Sequence, residues 1–388
     1  MATKVLFVPS WYPTDEAPVA GVFFEEQAQA LADRFDIAVL VPEVIPFTLR
    51  AWLGHAKGSR REVRGGLLTF RHHAARPPWG PVRLAYPRLL RSFEWALDRV
   101  EREWGRPDIL HAQVTLPAGW LTARAGVRRG IPVVLTEHCA ATTLPLDDPE
   151  CQKMAKEAVA TARVLAVGPG VARELAALGE KDVETVGALV RTRFFSPAPE
   201  AERPSSGELR LFGVGGLRKV KGFDILISAI ALLPRSLRES IRLVIGGDGE
   251  ERAALAAQIA SSGLDDRVRL VGWLSREETR SLMRWCDLFV TPSRAETFSV
   301  ATAEAIACGK PVVATRSGGP EFVLTEAAGL LVPTENAAAI AEAVATIVRG
   351  SVQLDPILAR KSVESRFGED AFVDRLSRIY GSVLRERP

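Results

Sequence analysis

Two carboxylates flank the start of an apolar, alanine-rich segment. In the stretch SRAETFSVATAEAIACGKPVVATRSGG, Glu296 precedes this segment and Glu304 lies inside it, eight positions later. The composition predicts a helix that begins at about Thr297 or Phe298 and ends at Ala307. The spacing alone leaves a plainer interpretation open, in which Glu296 caps the helix and Glu304 is an ion-paired surface residue.

The predicted start of this helix is a candidate anion site. The backbone N–H groups of Thr297, Phe298, Ser299 and Val300 would be free there, and a helix N-terminus directs roughly half a unit of positive charge at a bound anion. Carboxylates accept hydrogen bonds from paired sugar hydroxyls. The arrangement therefore suits an elongated ligand with a phosphate in the middle and hydroxylated rings at both ends.

A basic cluster precedes this segment in the stretch FGVGGLRKVKGFDILISAI, which predicts a strand, a glycine turn, a basic loop and a helix. Lys221 falls just before the helix, where its ammonium group could neutralise a diphosphate, and Arg218 and Lys219 lie in the loop. A solvated basic loop explains the same residues equally well. The glycines do not form a G-x-G-x-x-G pattern that opens a helix, so the signal for dinucleotide binding is weak.

Short β-branched runs alternate with segments of helical periodicity along the whole chain. The runs include VLFVPS, IAVLVP, ILHAQ and PVVLTEH in the first half, and LRLFGVGG, RLVIGGDG, LFVTPS and PVVAT in the second. This alternation predicts an α/β protein with two doubly wound, Rossmann-like domains, separated by a Pro- and Ser-rich linker at 194–208. Ligands of such sheets bind at the carboxyl ends of the strands, so two facing sheets would form a central cleft.

Length and composition exclude several classes of protein. The 388 residues fit two domains, and a composition of 47% apolar and 25% charged residues is typical of a soluble globular protein. A net charge of +3 is too small to indicate nucleic-acid binding. We find no signal peptide and no apolar run long enough to span a membrane, and the four cysteines lack metal-site spacing, so we expect a cytoplasmic protein with reduced thiols.

The motifs in series resemble the retaining GT-B glycosyltransferases of glycosyltransferase family 4, also called glycosyl transferases group 1. The resemblance is carried by VGGLRKVKGFDILISAI, RLVIGGDGEER, RVRLVGWLSREE and LFVTPSRAETFSVATAEAIACGKPVVATRSGGPEFV, and more loosely by SWYPTDEAPVAGVFFEEQAQAL and ILHAQ…IPVVLTEH. It implies an N-terminal acceptor-binding domain at 1–195 and a C-terminal donor-binding domain at 196–368. It also implies that the last helix, 369–388, packs back onto the N-terminal domain.

The resemblance also assigns roles to residues that would bind the donor. Glu304 would bind the ribose of a nucleotide sugar, and Glu296 would contact hydroxyls of the donor sugar beside the N–H groups from Thr297 to Val300. Lys221 would bind the diphosphate, and the backbone at Trp273 and Leu274 would face the base.

Two residues of the first half receive roles in the same way. Gly21 would allow close approach to the ligand, and His138 would contact the sugar or the acceptor near the reacting carbon. His111, on the preceding strand, is expected to be structural.

Two departures from the family pattern keep another class of protein open. Gly216 stands where the family often has an arginine, so one diphosphate contact would be either lost or supplied by Arg218, and the hinge sequence VGALVRTRFF is unusual. A catalytically silent nucleotide-sugar-binding protein therefore remains an alternative. Within the enzyme class, the alternatives are a related GT-B sugar-nucleotide 2-epimerase or phosphorylase.

The expected reaction follows from the family's chemistry. The departing phosphate takes the acceptor proton on the same face of the sugar, which gives retention without a side-chain nucleophile. With Lys221 and a helix N-terminus in the role that a metal could play, we expect no metal and no cofactor. We expect a UDP-, GDP- or ADP-linked donor and a hydroxyl acceptor, as in polysaccharide, glycolipid or other glycoconjugate biosynthesis.

The segment 50–91 is strongly basic, and Trp52, Trp79 and Tyr86 are interspersed in it. Glu62 is its only acid, and its cations are Arg50, Lys57, Arg60, Arg61, Arg64, Arg71, Arg76, Arg83, Arg88 and Arg91. Such a surface suits an anionic or lipid-linked acceptor and peripheral contact with the inner face of a membrane. A solvated arginine-rich loop is an equal alternative, and no motif supports nucleic acid.

Overall fold

The computed structural model describes residues 2–46, 59–76, 86–139, 148–179, 182–199 and 208–386. The chain divides into two compact units, one formed by Met1–Leu189 with Phe372–Pro388 and the other by Val190–Ala371. Residues 190–195, predicted to end the first domain, belong to the second unit, and so do residues 369–371 at the start of the last helix.

The first unit contains an eight-stranded sheet in the order β3-β4-β2-β1-β5-β6-β7-β8. Only the β3–β4 pair is antiparallel among these neighbours. The strands are β1 (Lys4–Pro9), β2 (Asp36–Pro46), β3 (Ser59–Arg64), β4 (Leu67–Arg76), β5 (Ile109–Gln113), β6 (Val133–Glu137), β7 (Arg163–Ala166) and β8 (Glu184–Thr185). The helices are α1 (Val22–Ala32), α2 (Tyr86–Glu103), α3 (Trp120–Arg129), α4 (Pro149–Thr161) and α5 (Pro169–Ala177).

The second unit contains a six-stranded parallel sheet in the order β11-β10-β9-β12-β13-β14. Its strands are β9 (Leu209–Val214), β10 (Ile241–Gly246), β11 (Val268–Leu270), β12 (Leu288–Thr291), β13 (Val312–Thr315) and β14 (Gly329–Val332). Its helices are α6 (Phe223–Leu232), α7 (Arg235–Ser240), α8 (Arg252–Ser261), α9 (Arg276–Trp285), α10 (Val300–Ala307), α11 (Gly319–Val323), α12 (Ala337–Val348) and α13 (Pro356–Phe367).

The last helix, α14 (Glu369–Arg385), begins in the second unit and packs on the first. Its apolar face, spaced at helical periodicity from Phe372 to Val383, is buried in the same core as Val5 and Phe7 of β1. The amphipathic pattern of this segment therefore reflects burial against the first sheet.

Both sheets confirm the predicted α/β, doubly wound architecture. With β3 and β8 set aside, each sheet follows the order 3-2-1-4-5-6 in sequence of appearance. In this arrangement the strand order reverses between β1 and β5 and between β9 and β12. Ligands of such sheets bind outside the carboxyl ends of the strands at this reversal, so each unit has one predicted crevice. None of the described helices is long and apolar enough to cross a membrane.

Candidate functional site

Lys221 and Glu296 meet at the point where the strand order of the second sheet reverses. Lys221 ends a short 3-10 turn after β9, and Glu296 lies in the loop after β12. Lys221 Nζ donates to Glu296 Oε1 over 2.7 Å, and Ser293 Oγ donates to the same oxygen over 2.7 Å. Glu296 Oε2 accepts no hydrogen bond from the part of the chain that the structure describes. One carboxylate oxygen is therefore held in place and the other is available to a ligand.

Backbone contacts hold the two loops together. Gly222, next to Lys221, has a φ of 67°, and a Cβ there would lie 2.1 Å from the carbonyl oxygen of Pro292. The N–H of Glu296 donates to the Ser317 carbonyl over 2.8 Å, and its carbonyl accepts from the N–H of Gly319 over 2.9 Å. The position of the Lys221–Glu296 pair is thus fixed by glycine-dependent backbone packing.

The helix that carries Glu304 begins later than predicted. Helix α10 starts at Val300, after Ser299 in a left-handed conformation with a φ of 70°. Phe298 is the reason, because its buried ring packs edge-to-face on Phe367, with 4.9 Å between centroids. The backbone of Phe298 also fits against Gly319, where a Cβ would lie 2.5 Å from the Phe298 carbonyl carbon.

The later start changes which N–H groups belong to the helix. In the first turn of α10 the N–H groups of Val300, Ala301 and Thr302 have no acceptor within the helix, because the ladder begins with the bond from Ala303 N–H to the Ser299 carbonyl. Of the four N–H groups predicted to open the helix, only that of Val300 lies in its first turn, and those of Thr297, Phe298 and Ser299 have no acceptor among the described residues either. Thr297, Phe298 and Ser299 form the loop between Glu296 and the helix.

Glu304 is the fifth residue of α10 and is buried, with 2% of its surface exposed. Nη2 of Arg276, the first residue of α9, donates to Glu304 Oε1 over 2.6 Å. The guanidinium of Arg276 also stacks over the Phe195 ring, 4.7 Å from its centroid. Burying a carboxylate is costly unless it is paired, and Arg276 supplies the pair. The plainer interpretation is right that Glu304 is ion-paired, but Glu304 is buried and not at the surface. It is wrong about the cap, since Ser299, not Glu296, occupies the N-cap position.

The remaining predicted donor residues lie at the same edge of the sheet. Leu274, after β11, packs over the end of β10, where a Cβ on Gly246 would lie 2.3 Å from Leu274 Cδ1. Its neighbour Trp273 is 61% exposed. Arg218 Nε lies 3.6 Å from where a Cβ of Gly216 would be, so the guanidinium is close to position 216.

In the first unit, Gly21 and His138 both lie next to the ring of Phe24. The Phe24 ring of α1 packs edge-to-face on the imidazole of His138, with 5.0 Å between centroids. Gly21 precedes α1 with a φ of 78°, and a Cβ there would lie 3.3 Å from Phe24 Cδ2 and 2.9 Å from Trp11 Cδ1. The structure therefore brings the two predicted residues to the same end of the first sheet.

His138 is fixed by residues that the sequence analysis did not single out. Its Nε2 lies 2.7 Å from Gln113 Oε1, at the end of β5. Its N–H donates over 2.8 Å to the buried carboxylate of Glu137, which also accepts the N–H groups of Cys139 and Thr115 over 2.7 Å each. Burial lowers the pKa of His138 to about 3, so the imidazole is neutral at pH 7. Gln113 and Glu137 could have been found in the sequence as the polar residues that end the buried strands ILHAQ and VVLTE.

His111 is structural, as expected. It is buried, and its Nδ1 lies 2.6 Å from the hydroxyl of Tyr380 on α14. Burial lowers the pKa of His111 to about 3.

The described part of the basic segment is largely ion-paired. Arg50, Lys57, Arg83, Trp52 and Trp79 lie outside the described residues, and so do the side chains of Arg76, Tyr86 and Arg88. The nearest pairs are Arg71 with Glu43 (2.6 Å) and Glu62 (2.8 Å), Arg64 with Asp15 (3.2 Å) and Glu25 (3.5 Å), Arg61 with Glu103 (3.6 Å), and Arg60 with Glu62 (3.5 Å). Acids from outside the segment thus neutralise charge that appeared uncompensated in the sequence.

The described residues contain neither a disulfide nor a reactive thiol pair. None of the four cysteines is in a disulfide, and burial raises the pKa of Cys286 and Cys308 to about 12, which makes them poor nucleophiles at neutral pH. Within the ranges that the structure describes, no three His, Cys, Asp or Glu side chains cluster in a way that could hold a metal ion.

Known proteins resemble the chain over nearly its full length. The family model described as "Glycosyl transferases group 1" matches residues 197–361, and that of "Glycosyltransferase Family 4" matches residues 20–193. A D-inositol 3-phosphate glycosyltransferase 1 of Catenulispora acidiphila is 31% identical, with 82% of each chain covered. The putative teichuronic acid biosynthesis glycosyltransferase TuaC of Bacillus subtilis is 29% identical, with 88% of each covered.

Solved structures support the same fold. The sucrose-phosphate synthase of Thermosynechococcus elongatus superposes with a TM-score of 0.76 at 21% identity, covering 99% of both chains. Anabaena HepE, solved in complex with UDP, also gives a TM-score of 0.76, at 19% identity and with 98% of this chain and 100% of that chain covered. Together with the family models, these similarities show that the chain is a GT-B glycosyltransferase belonging to glycosyltransferase family 4, the glycosyl transferases group 1.

Proposed function

We propose that this enzyme transfers a sugar, with retention and without a metal ion, from a nucleoside-diphosphate sugar to a hydroxyl acceptor. The observation that carries the proposal is the 2.7 Å pair between Lys221 and Glu296, beside the free N–H groups of α10. A cation, an N-terminal helix end and a carboxylate with one unused oxygen form a site for an anion that is attached to a hydroxylated group.

Each part of the donor has a matching group. The N–H groups of Val300, Ala301 and Thr302 and the ammonium of Lys221 bind the diphosphate. Lys221 has three donor hydrogens, so it can contact a phosphate oxygen while it keeps its bond to Glu296. Glu304, held by Arg276, accepts the ribose hydroxyls. That Anabaena HepE was solved with UDP and with UDP-glucose supports this class of donor.

The same groups favour the reaction itself. The bond between the anomeric carbon and the phosphate oxygen breaks, the acceptor oxygen bonds to that carbon, and the acceptor proton passes to a phosphate oxygen. Negative charge grows on the leaving diphosphate as this happens, and fixed donors stabilise it without reorganising. Glu296 Oε2 binds a donor-sugar hydroxyl, and the neutral imidazole of His138 contacts the sugar or the acceptor near the reacting carbon. Arg218 replaces the arginine that is missing at Gly216.

The donor is identified by a screen of UDP-, GDP- and ADP-sugars for slow hydrolysis and for thermal stabilisation of the protein. We expect one nucleotide to stand out in both measurements. Glu296→Ala should abolish turnover while the nucleotide still binds. A protein that binds a sugar nucleotide with no turnover toward any acceptor would instead be a silent binding protein. Release of an epimerised sugar, or of a sugar phosphate from an oligosaccharide, would indicate the epimerase or the phosphorylase.

Retention and metal independence are tested separately. The anomeric proton coupling of the product, measured by NMR, should show the same configuration as the donor. Activity should persist in excess EDTA, because Lys221 and the α10 N-terminus supply the positive charge. Inversion, or loss of activity that Mg²⁺ restores, would overturn the corresponding part of the proposal.

The acceptor is proposed to be anionic or lipid-linked, and the enzyme cytoplasmic with peripheral contact at the inner face of the membrane. Two relatives are named for D-inositol 3-phosphate and for teichuronic acid biosynthesis, which supports an acceptor that carries negative charge. The basic segment 50–91 supports the membrane contact, although Arg71 and Arg64 are already paired with acids. Failure to co-sediment with anionic vesicles at low salt would contradict it.

A further inference from the structure

A continuous chain of side-chain hydrogen bonds runs from the last helix to His138. The Tyr380 hydroxyl lies 2.6 Å from His111 Nδ1, and His111 Nε2 lies 3.0 Å from Gln113 Nε2. Gln113 Oε1 then lies 2.7 Å from His138 Nε2. Tyr380, His111 and Gln113 are buried. The chain links α14, β5 and the end of β6 within the first unit.

The amide of Gln113 determines the direction of every bond in this chain. A carboxamide oxygen only accepts and a carboxamide nitrogen only donates. Gln113 Oε1 therefore requires a proton on His138 Nε2, and Gln113 Nε2 requires a lone pair on His111 Nε2. Thr136 Oγ1 lies 2.8 Å from the same His111 nitrogen, and its hydroxyl can donate to that lone pair. A neutral imidazole carries a single ring proton, so that of His111 is on Nδ1 and donates to Tyr380. The two imidazoles thus have opposite tautomers.

We propose that Gln113 is a positioning residue that keeps the ring proton of His138 on Nε2, so that Nδ1 presents a lone pair to a hydroxyl of the bound sugar or acceptor. The consequence for catalysis rests on the proposed function. The tautomer itself does not, because it is a property of the protein without ligand.

The surroundings of His138 keep the imidazole neutral, which the tautomer requires. Phe23 and Phe24 of α1 pack on the ring, with centroid distances of 5.6 and 5.0 Å. Among the described residues, the titratable groups next to it on the strands are His111, itself neutral, and Glu137, whose carboxylate already accepts three backbone N–H groups. A sugar hydroxyl that donates to Nδ1 therefore meets an uncharged acceptor.

The tautomers are measured directly by long-range ¹H–¹⁵N NMR on protein labelled at histidine, with the His138 signals assigned through His138→Asn. We expect the Nε2–H form for His138 and the Nδ1–H form for His111, both unchanged between pH 5 and pH 8. Reversal of the Gln113 amide would reverse every bond in the chain. A proton on Nδ1 of His138, or the same tautomer in both rings, would overturn the proposal whether or not the protein shows transferase activity.

The functional consequence is tested with Gln113→Glu. A carboxylate only accepts, so His111 should switch to the Nε2–H form, and the new charge should raise the pKa of His138. Protonation then removes the Nδ1 lone pair, and kcat/KM should fall about tenfold for each pH unit below the new pKa. Gln152→Glu, the same change at an exposed position of α4, should keep the wild-type pH profile. If the pH profile of kcat/KM for Gln113→Glu is the same as those of the wild type and of Gln152→Glu, the role of Gln113 is overturned.

Discussion

Replacement of Glu296 by glutamine separates the binding of the diphosphate from the recognition of the sugar. The substitution keeps the shape of the side chain and removes its charge. Oε1 is already held by Lys221 and Ser293, whereas Oε2 accepts no bond from the described residues. If Oε2 binds a donor hydroxyl, the lost charge-assisted hydrogen bond is worth about 1.5–3 kcal/mol. The value of kcat/KM should therefore fall about 10- to 150-fold, since about 1.4 kcal/mol corresponds to a factor of ten.

The same change should not weaken the binding of the nucleoside diphosphate alone. A negative charge is removed from beside the phosphate site, and Lys221 loses the carboxylate that competes for it. Two unit charges about 4 Å apart in bulk water interact by about 1 kcal/mol, which corresponds to about a fivefold change in Kd. The Kd should therefore stay the same or fall up to about fivefold.

The assay combines steady-state kinetics with calorimetric titration of the nucleoside diphosphate. Glu239→Gln is the matched control, because Glu239 is also paired, with Arg235 over 2.7 Å, but on α7 just before the amino end of β10. The control should leave both measurements unchanged. A Glu296→Gln enzyme with wild-type kcat/KM, or one that loses turnover and diphosphate affinity in parallel, would refute the separation of roles.

Three further predictions follow from individual contacts. Arg276→Met should destabilise the protein by roughly 1–3 kcal/mol in urea unfolding, because it removes the 2.6 Å partner of the buried Glu304. It should also raise the KM for the donor. An unchanged unfolding free energy together with an unchanged KM would show that the pair has no role. Gly222→Ala should cost roughly 3 kcal/mol or more, since its Cβ would lie 2.1 Å from a carbonyl oxygen, whereas Gly263→Ala, at a φ of 63° with open space around it, should cost about 1 kcal/mol; equal costs would contradict the packing argument. Burial lowers the pKa of His111 to about 3, from an unfolded value near 6.5. The contribution of neutral His111 to the free energy of unfolding is therefore complete above pH 6.5 and is lost as the pH falls, by up to about 1.4 kcal/mol per pH unit. Equal unfolding free energies at pH 6.5 and pH 4.5 would contradict this.

The strands of the second sheet were predictable because burial on both faces leaves a continuous apolar run, as in LFVT and VVAT. The edge strand β3 was missed because its sequence, SRREVR, is charged, and an antiparallel edge needs no apolar face. The terminal helix was predictable from periodicity alone, since its apolar residues share one helical face whichever surface that face packs against.

The site was predictable as residue types but not as geometry. Nothing local in the sequence pairs Lys221 with Glu296, which are 75 residues apart, and the contact follows only from the reversal of strand order between β9 and β12. The start of α10 was misplaced because Phe298 is withdrawn from the helix by packing on Phe367, a tertiary contact that helix propensity does not contain.

A crystal structure with the intact nucleotide sugar identified by the donor screen is the decisive test of the proposed donor site. We expect phosphate oxygens within about 3 Å of Lys221 Nζ and of the first N–H groups of α10, with Glu304 on the ribose and Glu296 Oε2 on the sugar. A diphosphate bound elsewhere, with Lys221 and Glu296 still joined only to each other and the α10 N-terminus empty, would contradict it.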